Sequence, residues 1–404
     1  MSDRAQTPPD PVDYPFAAPV GIEPPGEWAD LRQGCPVAHV RLPSGDQARL
    51  LTRYDDVRGM LADPRFTRSA PGSARMSRTT GGVFDGTSTP IPTSGEGHLR
   101  WRRLVTRWFT VRKMMELKPR IEAMAEHLVD GMTKQGPPAD MVSGLNFPLP
   151  VWVICEILGV PDGDRDKFAH WSSTRMSISK YSQEEIDTAT AEYAEYFTAH
   201  IAVKRADPGE DLLSELITVV DSDDGRLSEI ELLATGQGLL IAGHETTSNQ
   251  LGKMFAQLLA DRSRYESLLA DPDLVRTAVE ETLRMDAMSP FGLPRFLTED
   301  VEIGGEVLPA GTTVINSLAA ANRDEGAFDD AGEIRLDRSP NTHIAFGVGP
   351  HSCIGQALAR TELQAVLDVV LRRLPGLALA VPVDELPKRE GMLVGGLECL
   401  PVTW

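Results

Sequence analysis

The stretch Phe346-Gly347-Val348-Gly349-Pro350-His351-Ser352-Cys353-Ile354-Gly355, followed by a helical run from Gln356 to Leu374, decides how this chain is read. One cysteine stands where a glycine-punctuated loop enters a helix. The glycines let backbone approach a flat or bulky group closely, and a thiol at a helix N-terminus is pushed towards thiolate by the dipole and by unpaired N–H groups. Such a site suits a metal ligand or a nucleophile. It fails as a dinucleotide fingerprint, because the GxGxxG register needs glycine where Ser352 stands.

Working outward, a helical pattern covers about 228 to 260 and opens with a capping-box pair, Ser228 and Glu231. A helix of that length crosses a whole domain and should be central. Its midpoint reads Ala242-Gly243-His244-Glu245-Thr246-Thr247, where a glycine costs roughly 1 kcal/mol relative to alanine and β-branched threonines follow. Function or close helix packing at Gly243 accounts for that loss equally well. His244-Glu245 is similar to the zinc-protease pattern HExxH, but Ser248 stands where the second ligand belongs. Further helical patterns cover about 97 to 109, 114 to 134, 183 to 205, 208 to 220, 263 to 285 with a break near Pro272, and 355 to 374. Strand-like pieces lie at Ala48 to Arg53 and Val301 to Ile315, where Gly304-Gly305 predicts a two-residue hairpin turn. The fold class is mainly α (α+β), a large helical domain with small β-sheets. Residues 69 to 93 form a Ser/Thr/Gly/Pro-rich candidate lid.

With 404 residues, 41% hydrophobic and 25% charged, the chain can bury a sizeable core, which excludes disorder, collagen-like repeats and disulfide miniproteins. The net charge of −19 argues against nucleic acid or an anionic membrane as partner. Cys35, Cys155, Cys353 and Cys399 are too scattered for a disulfide framework, an iron–sulfur cluster or a CxxC zinc site, so a reducing cytoplasm fits best. Neither a signal peptide nor a membrane anchor is read near the N-terminus. The expected layout is a Pro-rich segment, 1–25, before a single domain, 26–404.

The FGxGxxxCxG run from Phe346 to Gly355 resembles the haem-binding loop of cytochrome P450, the haem-thiolate monooxygenase superfamily. AGHETT at Ala242 to Thr247, ExxR at Glu281 to Arg284, and Arg338 ahead of the cysteine loop follow the same family order. The resemblance runs from about Tyr14 to Trp404 and is closest to a soluble bacterial member. It implies haem b (iron protoporphyrin IX) with Cys353 as its axial metal ligand, a thiolate whose electron donation favours O–O cleavage. Phe346 would cover the proximal haem face, with Gly347, Gly349 and Gly355 keeping the loop thin. The family's propionate partners match His98, Arg102, Arg295 and His351, and the first two, four residues apart, share a helix face. Ala242, Gly243 and Thr246 would border the haem, and Glu245 with Thr246 matches the acid–alcohol pair that delivers protons to bound dioxygen. Glu281, Arg284 and Arg338 match a buried ion-pair scaffold.

Lacking a flavin or iron–sulfur signature, the chain needs a separate electron donor, and the resemblance implies ferredoxin with ferredoxin reductase. Arg100, Arg103 and Arg107 fall within about 60° on a helical wheel, opposite His98 and Arg102, and form either a docking face or a solvated basic face. By the same resemblance the substrate pocket is lined by Met76, Phe84, Leu239, Ala242, Met288, Phe291, Leu393 and Val394, which suits a hydrophobic or aromatic small molecule. Arg75 and Arg78 reach either a substrate carboxylate or solvent, and Trp171 is a contact or plain packing. The expected reaction is hydroxylation or oxidative C–C or C–O coupling of a secondary metabolite. The competing function is a haem-containing small-molecule binding or sensor protein without turnover, which would need neither Glu245-Thr246 nor a donor.

Overall fold

The structure is a computed structural model that describes residues 10–17, 22–69, 74–80, 90–222, 226–285 and 291–404. Its first part holds β1 (Val12–Asp13), α1 (Glu27–Gly34), β2 (Val37–Arg41), β3 (Gln47–Leu51), α2 (Tyr54–Ala62) and β4 (Phe66–Thr67). Then come α3 (Gly95–Thr106), α4 (Val111–Gln135), β5 (Ala139–Asp140), α5 (Pro148–Leu158), α6 (Arg165–Arg175), α7 (Gln183–Ala206) and α8 (Leu212–Asp221). The central helix α9 (Glu229–Leu259) leads to α10 (Arg262–Ala270), α11 (Val275–Met285), β6 (Leu293–Leu297), β7 (Val301–Ile303), β8 (Glu306–Leu308) and β9 (Thr313–Asn316). The chain closes with α12 (Leu318–Ala321), α13 (Gln356–Arg373), β10 (Ala378–Leu379) and β11 (Pro401–Thr403).

Local chemistry sets the helix ends. Ser228 caps α9 by accepting from the Glu231 amide, while the Glu231 carboxylate accepts from the Ser228 amide at 2.8 Å, as the capping box predicts. Ser182 and Glu185 do the same for α7. At Pro272 the helix expected over 263 to 285 breaks into α10 and α11, joined by a turn of 3₁₀ helix. Gly304 (φ 59°) and Gly305 (φ 82°) both adopt the left-handed conformation that a two-residue hairpin turn requires between β7 and β8.

The 31-residue α9 spans about 46 Å and packs along α5, with α4 against α13 nearby. A six-stranded sheet, β1-β2-β3-β9-β6-β4, stands at one side and places Arg295 on β6 opposite Val314 of β9. The boundary drawn after residue 25 moves: β1 pairs with β2, and buried Tyr14 donates from its hydroxyl to the Phe291 carbonyl at 3.0 Å. Among the described residues, no helix is long and apolar enough to cross a membrane.

Candidate functional site

The cysteine loop is built on backbone contacts. Gly349 (φ 73°) lies so close to the end of α2 that a Cβ there would sit 2.8 Å from the Leu61 carbonyl oxygen. The Cys353 amide donates to the Phe346 carbonyl at 2.8 Å, which folds the loop back on itself. Phe346 is half-buried, with the Arg360 guanidinium 4.4 Å from its ring centre. Cys353 is accessible to water, yet burial raises its thiol pKa, opposed by the Gly355 N–H and by Arg102 and Arg360. A side chain shows both properties on the wall of an enclosed cavity. The helix α13 begins at Gln356, as expected; the push towards thiolate from its N-terminus is outweighed here by burial, and a bound metal cation would deprotonate such a thiol.

Beside the sulfur, basic side chains converge from α3, β6, the cysteine loop and the segment after β4. The His98 and His351 rings lie 4.5 Å apart. Arg102 donates from Nη1 to the Ser352 carbonyl at 3.0 Å, and Arg295 donates to its neighbour's carbonyl at 2.8 Å. Burial, then Arg68, Arg295, His98 and Arg102, pushes the His351 pKa down to about 3. Burial and Arg68 push Arg295 down to about 9. Arg68, which follows β4, has its own pKa lowered by burial while remaining open to water, so it lines the same cavity. It was not singled out in the sequence, where it sits at the edge of the Ser/Thr/Gly/Pro-rich stretch. No described carboxylate figures among the influences on His98, Arg295 or His351. Three arginines crowded in this way, with the His351 ring driven to its neutral form beside them, need external anions, and two haem propionates fit.

At the midpoint of α9, Thr246 donates from its hydroxyl to the Ala242 carbonyl at 2.8 Å, the back-bond that loosens a helix. Ala242 is exposed, and Gly243 and Thr246 are partly so. A Cβ at Gly243 would sit 2.7 Å from Ile154 of α5, so close packing is real there as well. His244 is fully buried, bonds the Leu240 carbonyl through Nδ1 at 2.7 Å and meets Phe147 edge-on. Glu245 is 2% exposed and bonds through Oε2 to Arg389 (3.0 Å) and Asn249 (3.3 Å). Arg389 is a partner that sequence reasoning missed, since it lies 144 residues away in a stretch without periodicity.

The ExxR cluster forms as expected. Glu281 accepts from Arg284 Nε and Nη2 at 2.8 Å each, from Arg338 Nε at 3.0 Å, from Asn341 at 3.0 Å and from the Arg335 amide at 2.9 Å. Burial pushes its pKa up, but these donors hold it below the usual carboxylate range. Arg284 also ties down the Asn322, Ala331 and Glu333 carbonyls, which fixes the segment leading to the cysteine loop.

Other expectations change. Arg100, Arg103 and Arg107 are not a free basic face: they pair with Glu231, Glu96 and Glu215 respectively, because the acidic N-terminal turns of α3 and α9 and the Glu215 of α8 come within reach. Phe291 is 1% exposed and packs against Tyr14 with ring centres 5.6 Å apart, so it offers no surface to a pocket. Met76, Leu239, Leu393 and Val394 are all buried. Phe84 and Met288 lie outside the described residues. Trp171 belongs to an aromatic cluster, meeting Phe168 edge-on and Tyr193 and Tyr196 at a tilt. Arg75 and Arg78 bond the carbonyls of Arg78 and Pro43 and stay outside.

Comparison with known proteins agrees with this geometry. The family profile described as cytochrome P450 matches residues 266–375. The chain is 42% identical over 393 residues to nocardicin C N-oxygenase of Nocardia uniformis subsp. tsuyamanensis, covering 97% of this chain and 98% of that protein. It is 41% identical to mycinamicin IV hydroxylase/epoxidase of Micromonospora griseorubida, covering 98% and 99%. The crystal structure of SgvP, a putative thioether synthase of griseoviridin tailoring, superposes with a TM-score of 0.93 at 40% identity, covering 98% of this chain and all of that one. Homology across almost the whole length, joined to a cysteine loop and cation cluster that fit haem b, means that the chain belongs to the cytochrome P450 family of haem-thiolate monooxygenases.

Proposed function

We propose that Cys353 binds haem iron, and that the enzyme uses dioxygen and electrons from a separate ferredoxin, reduced by a ferredoxin reductase, to oxidise a hydrophobic or aromatic secondary metabolite. The observation that carries this reading is the group of basic side chains, Arg68, Arg102 and Arg295 with the rings of His98 and His351, crowded beside Cys353 without a carboxylate among the influences on three of them. Haem, when bound, supplies dioxygen activation. The rest is done by the chain. The Gly355 N–H and Arg102 steady negative charge on the sulfur, and the arginines, with the two histidine rings as hydrogen-bond donors, would hold the propionates. The Thr246 hydroxyl, donating to the Ala242 carbonyl, keeps its oxygen lone pairs free to receive a donor, and Glu245 next to it is the acid that resupplies protons.

Relatives named for N-oxygenation, hydroxylation or epoxidation and thioether synthesis of natural products support the substrate class and leave both hydroxylation and oxidative coupling open. Docking of the ferredoxin no longer rests on the paired arginines of α3. The start of α4 offers exposed Val111 and Met115 beside Lys113, which lies over the Trp108 ring, and beside Arg112, which pairs with Glu116 in the open; this apolar and basic surface suits an acidic donor. The test is reconstitution with ferredoxin, reductase and NADPH after screening nocardicin C, mycinamicin IV and similar compounds for a low-to-high-spin shift. Oxygen-dependent product from a shifting compound is expected. Spectral binding without oxygen consumption for any compound would instead favour the sensor. C353S should lose the thiolate-type absorption of the reduced carbon monoxide complex, and its retention would remove the assignment of Cys353.

A further inference from the structure

The Glu245–Arg389 pair joins the middle of α9 to a segment that the roles above leave unused. Arg389 stands on a C-terminal hairpin closed by its own amide donating to the Gly396 carbonyl, by the Glu398 amide donating to the Pro387 carbonyl, both at 2.8 Å, and by a bridge between Lys388 and Leu397. The hairpin sits directly on α9: a Cβ at Gly396 would fall 1.7 Å from Asn249 Oδ1. Its tip, Gly391 to Val394, holds two of the expected substrate-facing residues and is sewn to the segment after α6. The Ile178 and Ser179 amides donate to the Gly391 carbonyl at 2.8 and 3.1 Å, and the Leu393 amide donates to the Met176 carbonyl at 2.9 Å. One guanidinium spans all three parts. Arg389 Nη1 meets Glu245 Oε2 at 3.0 Å and Asn249 Oδ1 at 3.5 Å, and Nη2 donates to Ser173 Oγ on α6 at 3.2 Å.

We propose that Arg389 is a positioning residue that ties occupancy of the substrate pocket to the placement of the Glu245 carboxylate. The inference rests on the reading of Glu245 as the proton-resupplying acid. Glu245 is 2% exposed, and Arg389 holds its Oε2 towards the hairpin at 3.0 Å, a buried pair whose geometry fixes where the carboxylate points. Backbone bonds make the tip, the stem and the end of α6 one piece. A ligand that presses on the tip or shifts α6 at Ser173 therefore moves the guanidinium, and the carboxylate follows it or is released. Without a ligand the acid stays clamped; with one it is free to carry a proton from water towards Thr246.

The test reads hydrogen exchange of the holoenzyme with and without phenylimidazole as the pocket-filling probe, over residues 387–398 and the α9 amides of 245–249. Wild type and R389K should respond in both segments. R389M should respond in the hairpin alone, and S173A, which keeps the ion pair, should weaken the α9 response. An α9 response that survives intact in R389M overturns the proposal. In the ferredoxin-driven assay, R389M should slow oxygen consumption by about threefold and R389K should restore most of it. E245Q separates the two readings. Wild-type oxygen consumption by E245Q defeats the acid role of Glu245, whereas slowed consumption together with a wild-type exchange pattern in R389M defeats only the role of Arg389.

Discussion

Glu281 and Glu245 are both buried glutamates facing arginine, and they differ in how much freedom they keep. Glu281 is completely buried and accepts on both oxygens from Arg284, Arg338, Asn341 and the Arg335 amide. Glu245 uses Oε2 for Arg389 and Asn249, and among the described residues no donor reaches Oε1. Saturation makes the first a fixed joint between α11 and the cysteine-loop approach. The open oxygen makes the second a group that can change partner. Burial and an arginine neighbour are therefore common to both sites; the count of donors sets them apart.

The sharpest way to break this comparison is to remove the Glu281 charge. E281Q strands two buried guanidiniums and should cost about 3–5 kcal/mol, with loss of haem incorporation, read by thermal unfolding and by pigment per protein. A well-folded, pigmented E281Q protein would show that saturation is not structural. Next in size is E245Q, which should leave the melting temperature nearly unchanged while product formation drops on the order of a hundredfold. An equal loss of stability in both variants would erase the distinction between the two sites.

The same contrast explains what the sequence made legible. The cysteine loop, the α9 midpoint and ExxR are short-range patterns, and their chemistry is local: a capping box, a back-bonding threonine, an i,i+3 ion pair. The long amphipathic helices also fell near their expected bounds. Helices α5 and α6 escaped notice, because α5 is apolar on nearly every face and carries no period, whereas α6 mixes Arg, Asp, Phe, His, Trp and Ser with no apolar stripe. The pairing of the basic face was not legible for a related reason. A helical wheel shows which arginines share a side of α3, but Glu231 and Glu215 reach them from α9 and α8, more than a hundred residues on. Arg68 and Arg389 lay in irregular segments, where spacing carries no signal.

A third carboxylate lies between the two extremes and gives a pH test. Glu280 accepts from Arg360 Nε at 2.8 Å and pairs with His343 Nε2 at 3.0 Å. Burial pushes its pKa up, but these partners pull it down to about 2. A carboxyl whose folded pKa lies below its unfolded value stabilises the fold fully above the unfolded pKa, near 4.5, and loses that contribution as pH falls towards 2. E280Q should therefore lower stability near neutral pH by about 2–3 kcal/mol and flatten the acid limb of the stability profile between those values. An acid limb identical to wild type would mean that Arg360 and His343 find other partners.

The smallest effect is expected where the ion pair is in water. Arg103 and Glu96 meet at 2.7 Å, but their side chains are 68% and 75% exposed, so solvent and salt screen what geometry offers. A double-mutant cycle of R103A and E96A should return a coupling below about 1 kcal/mol that shrinks further as salt is added. The same pairing bears on the electron donor. Because Glu96 already answers the charge of Arg103, R103E should slow reduction by ferredoxin less than charge reversal at Lys113, which stacks 3.5 Å from the Trp108 ring centre rather than on a carboxylate. If stopped-flow reduction is instead slowed more by R103E than by K113E, the ferredoxin breaks the Arg103–Glu96 pair on docking, and the basic face belongs to α3 after all.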